Sequence, residues 1–469
     1  MRVKFTHNQN KLTLPETCGS GETPEPAIGI MKKIYLDHAA TTPVDKKVLK
    51  AMLPYFSRVF GNAMSLHSFG QEAVKATEKA RRQTADFFGC DSDEIVFTSG
   101  ATEANNLAVK GVVKAYCNAW TSDVQERAKT PGGHRMSPLT KPHIITTIFE
   151  HHCVLDACKS LEKEKVAEVT YIKPGSDGVI KIEDVEKAIR KNTILVSIMY
   201  VNNEIGTVQP IAAIGKMIKA RNAKHSMFHV PRLTTLFHTD ATQAVNYFEC
   251  DVDKLGVDLL SMSAHKIYGP KGIGILYIKK NTPIARVQDG GDQENKKRAG
   301  THNVPGIVGL GAALAEVQSE KLKVYPVKSS RSEDAKGVFN RVKELRNYLI
   351  KRVLKEIPDT KLNGSKTKRS PNNANFSFAN VEGESLLLML DAEGIAASTG
   401  SACSSGSLQP SHVLLSLGIK PEQAHGSLRV TIGKYITKKE IDIFINKLKE
   451  IIEQLRKVAG NVLNDYYAK

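Results

Sequence analysis

The sequence has no long apolar run and no cysteine pair with C-x-x-C spacing. Two uncharged stretches, 299–315 and 394–419, are filled with Gly, Ser, Thr and Asn, and lack the continuous apolar character of a bilayer-spanning helix. The seven cysteines are scattered and odd in number, and none forms a C-x-x-C motif. This usage favours free thiols in a reducing compartment over a disulfide-bonded secreted framework. We therefore expect no membrane partner, a cytoplasmic protein and at least one reactive thiol.

The first 30 residues lack any hydrophobic periodicity. They mix Pro, Gly, Thr and Glu and contain no apolar core of the kind that a secretion signal needs. A mitochondrial presequence should be poor in acidic residues, yet Glu16, Glu22 and Glu25 lie in this segment. We expect residues 1–30 to be a disordered tail.

Positive charge is in excess. The 469 residues are 41% hydrophobic and 25% charged, which is ordinary globular composition, with a formal net charge of +17. Residues 321–370 carry 15 Lys and Arg against 5 Asp and Glu. The chain has neither an RNP-type segment nor a zinc-finger spacing. We interpret the charge as a solvated helix face, with nucleic acid or an acidic protein surface as the alternative.

From about residue 31 the chain alternates short apolar runs with helical patterns. This alternation predicts an α/β domain with a mainly parallel sheet. The strand candidates are 95–97, 143–147, 169–172, 194–199, 236–240, 259–262 and 274–277, and the helical stretches include 71–89, 103–116 and 183–190. Polar stretches that contain Pro or Gly, at 120–141 and 222–234, predict surface loops.

The pattern changes beyond about residue 315. A basic helix, a short strand near 374–378 and an amphipathic helix from Lys438 to about Leu463 predict a smaller α+β domain. We expect a large α/β domain over 31–315, whose first residues pack on a small domain over 316–469.

Three segments carry chemistry that suits a phosphorylated, electron-accepting cofactor. Residues 98–106 place small and hydroxyl side chains at a helix start, where they form either an anion site or an ordinary cap. Asp240 ends a strand and would pair with a protonated pyridine nitrogen, or cap a helix. Lys266 stands before a glycine-bearing turn, where partial exclusion of water lowers the pKa of an amine and favours a Schiff base. All three follow predicted strands at their carboxyl ends, where open α/β sheets bind ligands.

Seven motifs extend this pattern over residues 33 to about 460. They are 35–42, 99–106, 150–156, 201–206, 239–243, 263–272 and 401–406. Together they closely resemble the cysteine desulfurases of the NifS/IscS type, which are pyridoxal-phosphate (PLP) enzymes of the class V aminotransferase group. The resemblance implies the fold type I of PLP-dependent transferases, with a seven-stranded sheet flanked by helices. It also implies conversion of L-cysteine to L-alanine, with the sulfur transferred to an enzyme cysteine as a persulfide.

The resemblance also implies roles around the cofactor. Lys266 would carry PLP, and Asp240 would hold its pyridinium proton. His151 would stack on the ring and serve in acid–base steps, unless it is a buried structural histidine. The residues expected to bind the phosphate are Ala101, Thr102, Ser263 and His265.

Three further matches concern the substrate side. Asn203 and Gln243 would hydrogen-bond the substrate carboxylate and the ring hydroxyl, although spacing alone does not decide which of Asn202 and Asn203 points inward. Arg429 would clamp the substrate carboxylate, a role that suits a planar bidentate donor.

Cys403 is the expected nucleophile. The surrounding residues 396–407 are almost all small, which predicts an exposed, mobile loop that presents the thiol to a cleft. The alternative is an inert, packed cysteine. The spacing of Cys153 and Cys158 does not indicate a metal pair, and we expect no metal site.

Partners follow from the resemblance as well. Thr301 matches a residue that reaches the phosphate of the neighbouring subunit in relatives, which implies a homodimer with shared active sites. Asn295 stands where the family usually has Arg, and the long C-terminal extension that relatives use to dock an iron–sulfur scaffold has no counterpart. The sulfur acceptor would be such a scaffold or a thiolation enzyme. The alternatives are another fold-type I PLP enzyme (a selenocysteine lyase or an aminotransferase) and an inactive sulfur-relay relative.

Overall fold

The computed structural model of the protein describes residues 33–127, 141–226, 234–322, 337–400 and 409–467. The expected tail over 1–30, Cys403 and parts of both expected loops lie outside these ranges. Within them, no helix combines the length and the apolar character needed to cross a membrane.

The strands of the described residues form three sheets. They are β1 (Ile34–Tyr35), β2 (Ile95–Thr98), β3 (His143–Thr147), β4 (Glu168–Ile172), β5 (Thr193–Ser197), β6 (Leu236–Asp240), β7 (Leu259–Ser263), β8 (Gly274–Ile278), β9 (Thr360–Leu362), β10 (Asn373–Phe378), β11 (Ile395–Ala396) and β12 (Ser427–Thr431).

The α-helices lie between and after these strands. They are α1 (Lys46–Met52), α2 (Pro54–Ser57), α3 (Ser68–Phe88), α4 (Ala101–Arg127), α5 (His152–Lys163), α6 (Ile182–Ala188), α7 (Ile211–Ser226), α8 (Val252–Leu255), α9 (Val304–Leu322), α10 (Gly337–Glu356), α11 (Gly383–Ala392), α12 (His412–Ser416), α13 (Pro421–His425) and α14 (Lys438–Tyr467). Short 3-10 turns lie at Ser92–Glu94, Ala264–Lys266 and Glu294–Lys296.

The largest sheet of the described chain has seven strands in the order β2-β8-β7-β6-β5-β3-β4. β8 runs antiparallel to both of its neighbours, and the other neighbouring pairs are parallel. The inner strands are buried along their whole length and rich in apolar residues because helices cover both faces. The predicted α/β fold with a mainly parallel seven-stranded sheet is thereby confirmed.

Two apolar clusters cover the faces of this sheet. Leu107 of α4 and Val154 of α5 belong to one cluster, and Ile214 of α7 and Leu310 of α9 belong to the other. Helices on both faces leave the carboxyl ends of the parallel strands free along one edge, which is where such sheets bind ligands.

The C-terminal part has its own sheet and its own apolar cluster. Strands β12, β10 and β9 form an antiparallel sheet, and helices α10, α11 and α14 contribute to the same cluster. Ile34 and Leu36 belong to this cluster too, and β1 pairs with β11. Helix α9 continues through residue 315 to Leu322, and the domain division at 315/316 stays a prediction.

The loop predictions at 120–141 and 222–234 were wrong at their amino-terminal ends. Helix α4 continues to Arg127 and α7 to Ser226. The added residues are mostly polar, but many of them, such as Gln125, Glu126 and Arg127, are good helix formers. The helix-breaking residues that suggested loops, Pro131 and Pro231, lie further along the chain. The remaining residues of both segments lie outside the described ranges.

Candidate active site

The free edge of the large sheet surrounds one cavity of about 600 Å³. Segments that follow β2, β3, β5, β6 and β7 form most of its wall, and Arg429 of β12 closes it from the C-terminal part. Among the predicted site residues that the structure describes, all but Thr301 line it. These residues are Ala101, Thr102, His151, Asn203, Asp240, Gln243, Ser263, His265, Lys266 and Arg429.

One end of the cavity is the start of α4. The first backbone N–H groups of a helix have no acceptor within the helix, and together with the helix dipole they favour an anion. Glu103 lies in this first turn, where its carboxylate accepts from Ser99 N–H at 2.7 Å and pairs with Arg298 at 2.8 Å. Burial alone would raise the pKa of Glu103, but the hydrogen bonds from Arg298 and Ser99 hold it below its ordinary value. The acidic side chain is therefore neutralised and turned toward Arg298.

The turn before α4 is built for close approach. A side chain at Gly274 of β8 would place its Cβ 2.8 Å from Gly100 Cα and 2.5 Å from Met262 O. Glycine at this position lets β8 lie against the turn that forms the anion site. The Thr98 hydroxyl donates to Gly100 O at 3.0 Å and fixes the same turn.

Asp240 is buried at the end of β6. Its Oδ1 accepts from Thr242 N–H at 2.9 Å, and its Oδ2 accepts from the Asn105 side-chain amide at 2.7 Å. Both oxygens are therefore held in place. A carboxylate fixed in this way on the cavity wall suits a protonated ring nitrogen as its partner.

Lys266 ends the turn that follows β7. Its ammonium donates to the carbonyl oxygens of Ala39 and Ala40, both at 2.6 Å. Gln243 also donates to Ala39 O, at 3.0 Å. The 35–42 motif therefore supplies backbone acceptors that orient the amine at the cavity.

Burial disfavours the charged form of both His265 and His151 and lowers the pKa of each. Burial, followed by the charges of Lys266 and Lys271, lowers the pKa of His265 to about 4, and its Nδ1 lies 3.1 Å from the Thr41 hydroxyl. Burial also lowers the pKa of His151, although Asp240 acts in the opposite direction. His151 is the N-cap of α5, and its Nδ1 accepts from Cys153 N–H at 3.2 Å.

Arg429 joins the two sheets at the cavity. It donates to Asp37 Oδ1 at 2.8 Å and to Asn203 O at 3.1 Å, while its buried Nε has no hydrogen-bond partner among the described residues. Asn203 lines the cavity, whereas the Asn202 amide faces the protein and bonds to Phe149 O. The structure thereby settles which of the two asparagines faces the cavity.

One expected residue lies outside the described ranges, and another lies outside the cavity. Cys403 lies outside the described residues. Gly400, which precedes it in the sequence, lines the cavity. Thr301 is exposed and does not line the cavity of its own chain. Asn295 lies beside Glu294, whose buried carboxylate pairs with Arg81 at 2.8 Å.

The cavity fits PLP by the chemistry of its wall. An anion site, a fixed carboxylate, an amine and a neutral histidine face one space, and the unpaired Nε of Arg429 offers a further donor for an anionic group. This set matches the phosphate, ring nitrogen and aldehyde of that cofactor together with a substrate carboxylate.

The fold and this donor set together define a PLP enzyme of fold type I. The chain matches the family described as Aminotransferase class-V over residues 34–130 and 132–444, and it belongs to that family. Over 430 residues it is 47% identical to the cysteine desulfurase IscS of Dictyoglomus turgidum. The aligned region covers 91% of this chain and 96% of that protein.

Solved structures agree with this assignment. A NifS-like protein superposes with a TM-score of 0.74 at 34% identity, covering 90% of this chain and 100% of that one. A structure described as SspA in complex with cysteine gives a TM-score of 0.66 at 34% identity, covering 87% and 100%.

Several residues at or next to the cavity wall received no role from the sequence. Ala39 and Ala40 act through backbone oxygens, so their side chains gave no chemical signal beyond the motif itself. Asn105 and Cys153 stand in recognised motifs, but their hydrogen bonds connect segments far apart in the chain. Only the folded arrangement reveals those contacts.

Proposed function

We propose that the protein is a PLP-dependent cysteine desulfurase, which converts L-cysteine to L-alanine and transfers the sulfur to Cys403. The observation that carries this proposal is the meeting of Lys266, Asp240 and the start of α4 on one cavity, in a chain of the class-V family. The 401–406 motif favours desulfuration over transamination, because an aminotransferase has no use for a nucleophilic cysteine.

The positions of the side chains support the following residue roles. The start of α4, with Ser263 and His265, would hold the phosphate, and Asp240 would accept a hydrogen bond from the protonated ring nitrogen and so keep its proton in place. Gln243 would bond the ring hydroxyl, and His151 would lie against the ring. When bound, the cofactor accepts the electrons released from the substrate Cα–H bond.

The substrate side uses the C-terminal part of the chain. Arg429, with Asn203 beside it, would hold the substrate carboxylate and so fix the direction of the Cα–H bond. The Cys403 thiolate would attack the substrate sulfur. An S–S bond forms as the substrate C–S bond breaks, the electrons of that bond stay with the carbon skeleton, and protonation there completes alanine.

The first test concerns Cys403. In Cys403→Ser we expect sulfide release from L-cysteine to be lost while the yellow cofactor remains bound, because a hydroxyl cannot carry the sulfur. Sulfide and alanine are both measured, which also separates desulfurase from aminotransferase activity. Cys117→Ser, on α4 and away from the cavity, is the matched control. Undiminished sulfide release by Cys403→Ser would contradict the proposal.

The second test concerns Lys266. In Lys266→Ala we expect loss of the visible absorbance that depends on the amine–cofactor bond. Lys279→Ala, a lysine that does not line the cavity, should keep the wild-type spectrum. A spectrum that is unchanged in Lys266→Ala would rule out the role of this lysine.

We also propose a homodimer with shared active sites, a cytoplasmic location and a protein acceptor for the sulfur. A set of exposed apolar side chains from one stretch of the sequence supports the dimer. We call it the 53–69 surface, and it comprises Leu53, Phe56, Phe60, Met64, Leu66 and Phe69. The acceptor would be an iron–sulfur scaffold or a thiolation enzyme. A pull-down that traps the protein accepting sulfur from Cys403 would identify it.

A further inference from the structure

A chain of hydrogen bonds runs along the cavity wall from Asp240 to His151. The Asn105 side-chain nitrogen donates to Asp240 Oδ2 at 2.7 Å and lies 3.0 Å from Cys153 Sγ. Cys153 Sγ in turn lies 3.0 Å from His151 Nδ1. The two side chains proposed to act on the cofactor ring are thereby connected through two residues that have no assigned role.

The direction of each hydrogen bond follows from its partners. The backbone N–H of Cys153 can only donate, and it donates to His151 Nδ1, so that nitrogen is the acceptor. The thiol must therefore donate to the same nitrogen, and its sulfur accepts from Asn105. The proton of the neutral imidazole then resides on Nε2.

The orientation of the Asn105 amide is fixed in the same way. If the amide oxygen and nitrogen exchanged places, Oδ1 would lie against the Asp240 carboxylate, and two acceptors would face each other. The nitrogen must therefore face Asp240 and Cys153. Asn105 is 0% exposed, and its Oδ1 has no hydrogen-bond partner among the described residues. Leaving a buried acceptor unpaired is costly, and the cost is offset by the two bonds on the other side of the amide.

Cys153 is suited to this role and not to nucleophilic chemistry. Burial, followed by the charge of Asp240, raises the pKa of its thiol well above the ordinary value. The thiol stays protonated and keeps the hydrogen that it donates to His151.

We propose that Asn105 is a positioning residue that fixes the Asp240 carboxylate directly and fixes the His151 imidazole through the Cys153 thiol. The proposal rests on the function proposed above, since it assumes that Asp240 and His151 act on the cofactor. One buried amide at the first turns of α4 would then set the orientation of both groups.

The experiment compares Asn105→Ala, Cys153→Ala and the double variant as purified holoenzymes. A histidine NMR titration, assigned with His151→Gln, gives the pKa of His151, and equilibrium dialysis gives the dissociation constant of PLP. Steady-state kinetics with L-cysteine gives kcat and KM separately. Cys153→Ser, whose hydroxyl both accepts and donates, tests rescue. Cys158→Ala, a buried cysteine on the same helix, is the matched control.

We expect Cys153→Ala to raise the pKa of His151 by about 0.5, because the neutral form loses a donor to Nδ1. Asn105→Ala should raise it less, since the thiol remains but is no longer polarised by a donor. Once the thiol is absent, Asn105→Ala should add nothing further. Cys153→Ser should restore the wild-type value, and Cys158→Ala should keep it.

The cofactor and kinetic readouts separate the effects of the two hydrogen bonds that Asn105 donates, one to Asp240 and one to Cys153. Loss of Asn105 should weaken PLP binding by about 10-fold through Asp240, whereas Cys153→Ala should leave binding within about 2-fold. Both should lower kcat more than they change KM, because in the described chain neither residue hydrogen-bonds Arg429, which is proposed to hold the substrate carboxylate. A pKa of His151 that is unchanged in Cys153→Ala, or effects of the two single variants that add fully in the double variant, would overturn the proposal. Neither the NMR readout nor the binding readout requires desulfurase activity. If the variants give the expected NMR and binding results but the wild-type protein releases no sulfide, the proposed function alone is refuted.

Discussion

Glu150 is a buried carboxyl group one residue before His151. Its Oε1 accepts from Thr147 and from Met199 N–H, while its buried Oε2 has no hydrogen-bond partner among the described residues. Burial raises its pKa from the ordinary 4.5 to about 8. The folded protein therefore binds a proton more tightly than the unfolded chain, and this group stabilises the fold less as pH rises from about 4.5 to about 8.

We predict that Glu150→Gln stabilises the protein above pH 7. A neutral amide can keep the two bonds at Oε1 without the penalty of a buried charge. The difference in Tm from wild type should be small near pH 5 and should grow to a few degrees near pH 8.5. Glu422→Gln, at an exposed glutamate, serves as the control. A Tm difference that does not grow with pH would show that Glu150 does not carry a raised pKa in the folded protein.

The sequence was informative for residues whose side chains carry the chemistry. Lys266, Asp240 and Arg429 belong to motifs with few alternatives, and all three line the cavity. Asn105 and Glu150 lay within quoted motifs but received no role, because their importance depends on burial and on partners distant in sequence. Such properties do not exist before the chain folds.

Four elements meet at the anion site, namely β2, β7, β8 and the start of α4. Strand β8 pairs with both β2 and β7, and Gly274 lies opposite Thr98 on one side and Ser263 on the other. The position of the anion site therefore depends on how closely β8 approaches the turn at Gly100.

We predict that Gly274→Ala weakens PLP binding by about 10-fold or more. The added methyl group would lie 2.8 Å from Gly100 Cα and 2.5 Å from Met262 O, so backbone must move and the first turn of α4 shifts with it. Equilibrium dialysis measures the affinity, and Tm reports any general loss of stability. Gly175→Ala, where the nearest atom is Asp177 Oδ1 at 3.1 Å, makes the same chemical change outside the cavity. Equal PLP affinity in both variants would contradict the dependence on β8.

Elements were predicted well where hydrophobic pattern and tertiary environment agree. The seven strands of the large sheet were found from short apolar runs, because buried parallel strands are apolar on both faces. The ends of α4 and α7 were misjudged because polar composition was given more weight than helix propensity. The pairing of β1 with β11, which joins residues more than 300 positions apart, has no local signal in the sequence.

At the scale of the whole molecule, the 53–69 surface is the feature that a single chain leaves unexplained. Leu66 is 91% exposed, and Phe60 packs on Phe69 with ring centroids 5.5 Å apart. Contiguous exposed apolar side chains are typical of protein–protein interfaces. The exposed position of Thr301, outside its own cavity, is consistent with a residue that serves the site of a second copy.

We predict that Leu66→Asp shifts the protein from dimer to monomer, with a halved mass in light scattering after size exclusion. A charge buried in an apolar interface is costly unless it is paired, so association should weaken by at least about 10-fold. Leu388→Asp is the matched control, because Leu388 on α11 is 72% exposed and lies outside the 53–69 surface.

The monomeric variant should also bind PLP more weakly, since Thr301 of the second copy would no longer reach the phosphate. Thr301→Ala in the intact dimer should weaken PLP binding as well. A wild-type protein that is monomeric at micromolar concentration, or a Leu66→Asp variant that keeps its mass, would contradict the assignment of this surface to the dimer.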